Sequence, residues 1–163
     1  MIIYGKDFVK RHNGELKNFV REALKHGYGM GLPPEETFDG GNIYRYERGD
    51  WSYQDVYYGG EPYGGMTTVT YLGSVCWTMV YFGRIVGNAS KEEVYSALSE
   101  ALLHINPTLP VRGPKEYFTE NGLTYHNSWN GELKFFNGRE IIVNQNGTVR
   151  YEMYYHGGFV SLR

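Results

Sequence analysis

Between residues 121 and 147 the dipeptide Asn-Gly occurs four times, at Asn121-Gly122, Asn130-Gly131, Asn137-Gly138 and Asn146-Gly147. Asn and Gly readily take the two φ > 0 positions of a type I′ turn, whose twist matches that of antiparallel strands. Strand-forming residues flank these pairs, so the last third of the chain is expected to be a β-meander. Its strands are placed at 115–118, 123–129, 132–136, 139–145 and 148–156, with a short terminal piece at 159–162.

The rest of the chain divides by the same logic. Leu16, Phe19, Val20, Ala23 and Leu24 keep the spacing of one helical face after Asn13 as N-cap and before Gly27, which predicts a helix over 14–26. The segment 28–41, with Pro33-Pro34 and Gly40-Gly41, reads as a connecting loop able to cover one end of a pocket. Aromatic runs from Ile43 to Tyr58 broken at Gly49-Asp50, and from Thr67 to Phe82 broken at Gly73-Ser74, read as two hairpins. Ser90 with Glu93 forms a capping box ahead of the stripe Val94, Leu98, Ala101, Leu102 and Ile105, a second helix stopped by Pro107. Pro110 and Pro114 bracket Arg112-Gly113 in an extended connector. Strands grouped into runs by two amphipathic helices predict a single α+β domain over 1–163. The expected architecture is a curved antiparallel sheet of about eight or nine strands with a C-terminal β-meander and both helices packed on one face. Three aromatic-glycine stretches, Tyr57-Tyr58-Gly59-Gly60, Tyr81-Phe82-Gly83 and Tyr154-Tyr155-His156-Gly157-Gly158, are expected to end strands at one edge of that sheet.

Composition narrows the function classes. The 16 basic and 18 acidic residues nearly balance and form no basic run, which argues against direct nucleic-acid binding. A lone Cys76 allows no internal disulfide and suits a reducing cytoplasm. No secretory signal or membrane span is expected from the apolar runs. The 22 glycines sit beside aromatics at turn positions, so they punctuate strands and do not signal disorder.

The stretch "QDVYYGGEPYGGMTTVTYLGSVCWTMVYFGRI", then "ALLHINPTLPVRGPKEY" and "YEMYYHGG", resembles an uncharacterised family of small bacterial and archaeal proteins. The shared features are a Tyr-Gly-Gly strand, a Trp-x-Met-x-Tyr-aromatic-Gly strand, an Arg-Gly-Pro connector and a terminal His-Gly-Gly. Some relatives in that family are joined to a helix-turn-helix domain. The resemblance implies a domain of unknown function and supplies no mechanism.

Strand alternation places Trp51, Tyr53, Asp55 and Tyr57 on one face, Trp77, Met79 and Tyr81 on another, and Arg150, Glu152, Tyr154 and His156 on a third. Converging, these faces would make an aromatic basin with a few ionisable groups, the make-up of a small-molecule pocket. The competing reading makes the aromatics core and sends the polar side of the last strand into water. The candidate ligand-binding set is Asp55, Tyr57, Trp77, Tyr81, Arg112, Glu152 and His156, gathered around one cavity. Arg112 serves as counter-charge to the two carboxylates, with Arg150 as a second choice for Asp55, and His156 is left free for a ligand. No catalytic set is recognisable. The five histidines have no metal spacing, Cys76 lacks a basic neighbour, and the glycine pairs lack a phosphate-loop pattern, so no metal, cofactor or nucleotide site is expected.

The expected function is a non-enzymatic, small-molecule-binding or regulatory domain with an aromatic pocket. Two alternatives stay open: a small enzyme using Asp55, Glu152 or His156 in acid-base chemistry, and a protein-interaction module with exposed Tyr and Trp. A homodimer is also left open.

Overall fold

A computed structural model describes residues 6–105 and 112–160 of the chain. Helix α1 (Lys6–Leu24) runs into a π-helical turn, Lys25–Gly29, and is followed by five strands: β1 (Glu35–Glu36), β2 (Asn42–Arg48), β3 (Trp51–Gly59), β4 (Tyr63–Tyr71) and β5 (Ser74–Ile85). Helix α2 (Lys91–Leu103) leads to β6 (Glu116–Phe118), β7 (Thr124–Glu132), β8 (Phe135–Val143) and β9 (Val149–Phe159). All nine strands form one open, curved antiparallel sheet in the order β1-β2-β3-β4-β5-β9-β8-β7-β6. Two meanders are thus joined side by side. Helix α2 carries the chain to the far edge, and the second meander folds back until β9 pairs with β5.

Both helices lie against the inner face. Phe8, Leu16, Phe19, Val20, Ala23 and Leu24 of α1 are buried, and Phe19 lies 5.7 Å from the Trp51 ring on β3. On α2 the stripe Val94, Ala97, Leu98, Ala101 and Leu102 is buried, and Ser90 accepts from the Glu93 amide at 3.3 Å as the N-cap. Among the described residues no helix is long and apolar enough to cross a membrane.

Four expectations are corrected. Helix α1 starts before 14 and carries Asn13-Gly14 in its interior, because Phe8, one face-repeat earlier, packs against Trp51 and Tyr71. The second meander has four strands, not five. Asn121-Gly122 and Asn146-Gly147 do occupy turns, with Gly122 and Gly147 at φ 79° and 74°. The β7–β8 hairpin instead turns at Leu133-Lys134, just beyond Asn130-Gly131, and Asn137-Gly138 lies inside β8 opposite His156 and Tyr155. Gly138 serves there by close approach, since a Cβ would sit 2.2 Å from the Tyr155 ring. The aromatic-glycine ends do not share an edge either: β9 runs opposite to β3 and β5, and Tyr57, Tyr81 and Tyr155 fall instead in one transverse row, Tyr57-Gly65-Tyr81-Tyr155. Finally, the β4–β5 turn is Leu72-Gly73, both at positive φ, one residue earlier than expected. Pro107, Pro110 and Leu162 lie outside the described residues.

Candidate functional site

Directly paired residues of neighbouring strands share a face, so register decides which of the candidate residues meet. Asp55 on β3 opposes Thr67 on β4, which opposes Met79 on β5. This row is on the inner face beneath the helices. In the next row Gly65 separates Tyr57 from Tyr81. Gly65 leaves open the space above β4 that a side chain would take: a Cβ there would stand 2.5 Å from the Tyr81 hydroxyl. Tyr81 therefore reaches diagonally over β4 and donates to Asp55 Oδ1 at 2.8 Å, beside a second bond from Thr67 Oγ1 at 3.0 Å.

Around Asp55 opens a cavity of about 520 Å³, within the ~300–1,000 Å³ typical of small-molecule sites. Its walls come from β2 to β5 on one side, from the α1 end and α2 on the other, and from Arg112 and Met153. Six tyrosines line it: Tyr28, Tyr44, Tyr57, Tyr63, Tyr81 and Tyr95. Besides Tyr81, three of their hydroxyls are anchored around the walls: Tyr44 donates to the Leu32 carbonyl at 2.9 Å, Tyr63 bonds Tyr151, and Tyr95 bonds the Gly60 carbonyl and Glu61. Burial pushes the Tyr28 phenol up to about 12, and raises Tyr57 and Tyr81 as well, so these rings act as neutral donors and acceptors. Lys91 stands at the rim with its ammonium 6.0 Å from the Tyr95 ring centroid.

Asp55 is only 8% exposed, and burial raises its pKa against the lowering effect of the Tyr81 and Thr67 bonds and the Arg112 charge. Among the described residues both hydrogen bonds to this carboxylate fall on Oδ1, which leaves Oδ2 with none. Arg112 lines the same cavity but is committed elsewhere. Its Nε and Nη2 donate to the two Glu140 carboxylate oxygens at 2.9 and 2.8 Å, and Tyr125 donates to Glu140 as well. Beside it, Asn127 donates to the Gly113 carbonyl and accepts from Tyr155, so this corner of the inner face is closed on itself.

The structure therefore brings together Asp55, Tyr57, Tyr81 and Arg112. It does not bring in the other three. Trp77 lies on the same face beyond Met79, where its indole donates to the Leu133 carbonyl at 3.1 Å and stacks on Phe136 in the core. Glu152 and His156 alternate with Tyr151, Met153 and Tyr155, all inner-face residues, and so stand on the outer face. Glu152 pairs there with Arg84 and Arg139, which hold its carboxyl below the usual range. Arg150 lines a separate hollow of about 200 Å³. Glu140 was not singled out from the sequence, although a charged residue in alternation with Phe136 and Ile142 is the signal that marks it. Tyr28, Tyr44, Tyr63 and Tyr95 were also missed, since they come from four different elements and only the packing gathers them.

Cys76 is buried with its thiol on the Val69 carbonyl, and burial pushes its pKa up to about 12. Among the described residues no three His, Cys, Asp or Glu side chains lie close enough to hold a metal ion.

No curated protein and no solved structure matches the chain. A family model does, over residues 55–160, a span that takes in Asp55, most of the cavity-lining tyrosines, helix α2, Arg112 and Glu140, and leaves outside it the α1 end and Tyr44. By that match over more than half of its length, the chain belongs to the family described as Domain of unknown function (DUF5680).

Proposed function

We propose that this protein is a small-molecule-binding domain and that its ligand occupies the tyrosine-lined cavity against Asp55. One observation carries the reading: the carboxylate of Asp55, a residue only 8% exposed, stands at the cavity wall with both its hydrogen bonds among the described residues on Oδ1 and with Oδ2 left open. Buried polar atoms in folded proteins almost always have partners, and a polar atom left open toward a cavity is satisfied by whatever fills it. A binding role is favoured over an enzymatic one because the three acid-base candidates do not assemble: Asp55 faces inward while Glu152 and His156 face outward. The lone reduced thiol suits a cytoplasmic setting.

Native mass spectrometry of freshly purified protein is the direct test. The expected result is a retained small molecule that is released on unfolding and is depleted in Ser96→Trp, a substitution at an exposed rim position that narrows the mouth. Bare protein that also shows no thermal shift against a broad metabolite panel sinks the proposal. A second reading, the interaction module, has its own observation in the outer face. Tyr58, Met66, Phe82 and Tyr154 are each about half exposed there, on neighbouring strands β3, β4, β5 and β9. It predicts that Phe82→Ser leaves ligand retention intact and abolishes a partner or self-association.

A further inference from the structure

The charges around the cavity are not balanced group by group. The Arg112 guanidinium is neutralised in place by the bidentate Glu140 carboxylate, itself completely buried. Asp55 has no such counter-ion. Its two hydrogen-bond partners, the Thr67 and Tyr81 hydroxyls, are neutral, and both are used on Oδ1. The cavity wall thus holds a largely buried carboxylate with an open oxygen, and a charge in this condition is stabilised by an opposite charge placed against it.

The walls favour the same sign. Tyrosine faces are negative and attract cations, more strongly where water is excluded. Six such rings surround the site, and at its rim the Lys91 ammonium already stands over the Tyr95 ring. An anionic ligand would have to approach the unpaired Asp55 carboxylate, with the nearest buried cation, Arg112, already engaged.

Resting on the binding role argued above, we propose that the occupant is an organic cation, a protonated amine or quaternary ammonium. Its charged end sits against Asp55 Oδ2 and its body packs against the tyrosine rings. The test is calorimetric titration of the intact protein with three probes that share a skeleton and differ in charge: 2-phenylethylammonium, 2-phenylethanol and phenylacetate. The ammonium is expected to bind at least about tenfold more tightly than the alcohol, with the carboxylate weakest, since removing the charge on one side of a desolvated pair costs a tenfold step or more. In Asp55→Asn the ammonium and alcohol are expected to converge to within about twofold while the alcohol still binds. The wild-type series decides the matter even if that variant does not fold. Equal or tighter binding of the alcohol or of phenylacetate overturns the cation and leaves the binding role standing. Binding of none of the three, by heat or by thermal shift, overturns both, and an undiminished preference in a folded Asp55→Asn variant removes Asp55 from the recognition.

Discussion

On the β6–β9 side of the inner face, Arg112, Glu140, Tyr125, Asn127 and Tyr155 satisfy one another in a closed network, with the Gly113 carbonyl taking the Asn127 amide. On the β2–β5 side of the same face, Asp55 keeps an open oxygen and the tyrosines stand back around a cavity. Both halves are antiparallel meanders under a helix, and both are rich in tyrosine. What separates them is whether the polar groups are consumed internally. A consumed group holds the fold together, and an open one at a cavity is available to something else.

The largest effect expected from this contrast is at Glu140. Replacing it with alanine strands the buried Arg112 guanidinium and should lower unfolding free energy by about 3 to 5 kcal/mol. Urea unfolding measures it. A loss under about 1 kcal/mol would mean that Arg112 reaches water, and the two halves would no longer differ in kind.

Next is Gly138→Ala, at about 1 to 3 kcal/mol, because the new methyl meets the Tyr155 ring, which is tethered to Asn127 at 2.7 Å and cannot swing away without breaking that bond. Thermal denaturation should show the loss, and an unchanged midpoint would show slack where the network is described as closed.

Asp55→Asn is expected to change stability by less than about 1 kcal/mol at neutral pH, and in the stabilising direction. Burial raises the folded-state pKa of Asp55, so the folded protein holds the proton more tightly than the unfolded chain. Wild-type stability from this group is therefore lost as pH rises from the ordinary carboxylate value through the raised one. The variant's advantage should vanish as pH falls below that window. A clear destabilisation at neutral pH would show that Asp55 belongs to the structural half.

The smallest effect is on the outer face. Glu152→Gln should cost well under about 1 kcal/mol, and less still in high salt, because its Arg84 partner is solvent-exposed. Here the folded pKa is lowered by Arg84 and Arg139, so the contribution is present at neutral pH and is lost as pH falls through the folded value. Loss of ligand retention in this variant would draw the outer face into the site.

The legible parts of this chain are those in which the signal is local. Ser90 caps α2 and the Val94, Leu98, Ala101, Leu102 stripe is buried because a cap and a 3.6-residue period each need only one element. The turn at Gly49-Asp50 and that at Asn146-Gly147 stand where a glycine, Gly49 or Gly147, takes the positive φ. The same dipeptide misleads at Asn137-Gly138, inside a strand, and the cap residue expected at Asn13 lies inside a helix, since neighbours in space decided those positions.

For the site, the sequence by itself determined which residues of each strand share a side: Asp55 with Tyr57, Tyr81 with Trp77, and Glu152 with His156. A two-residue period carries no information about which side of one strand matches which side of the next. That was decided by register across the sheet, where Tyr155 opposite Tyr81 turns Tyr151 and Met153 inward and sends Glu152 and His156 out. The pairing of Arg112 with Glu140 rather than with Asp55 was likewise tertiary. Nothing in the spacing of three distant charges ranks their attractions, and in a low-dielectric interior the pair with the better geometry takes the cation and leaves the other carboxylate open.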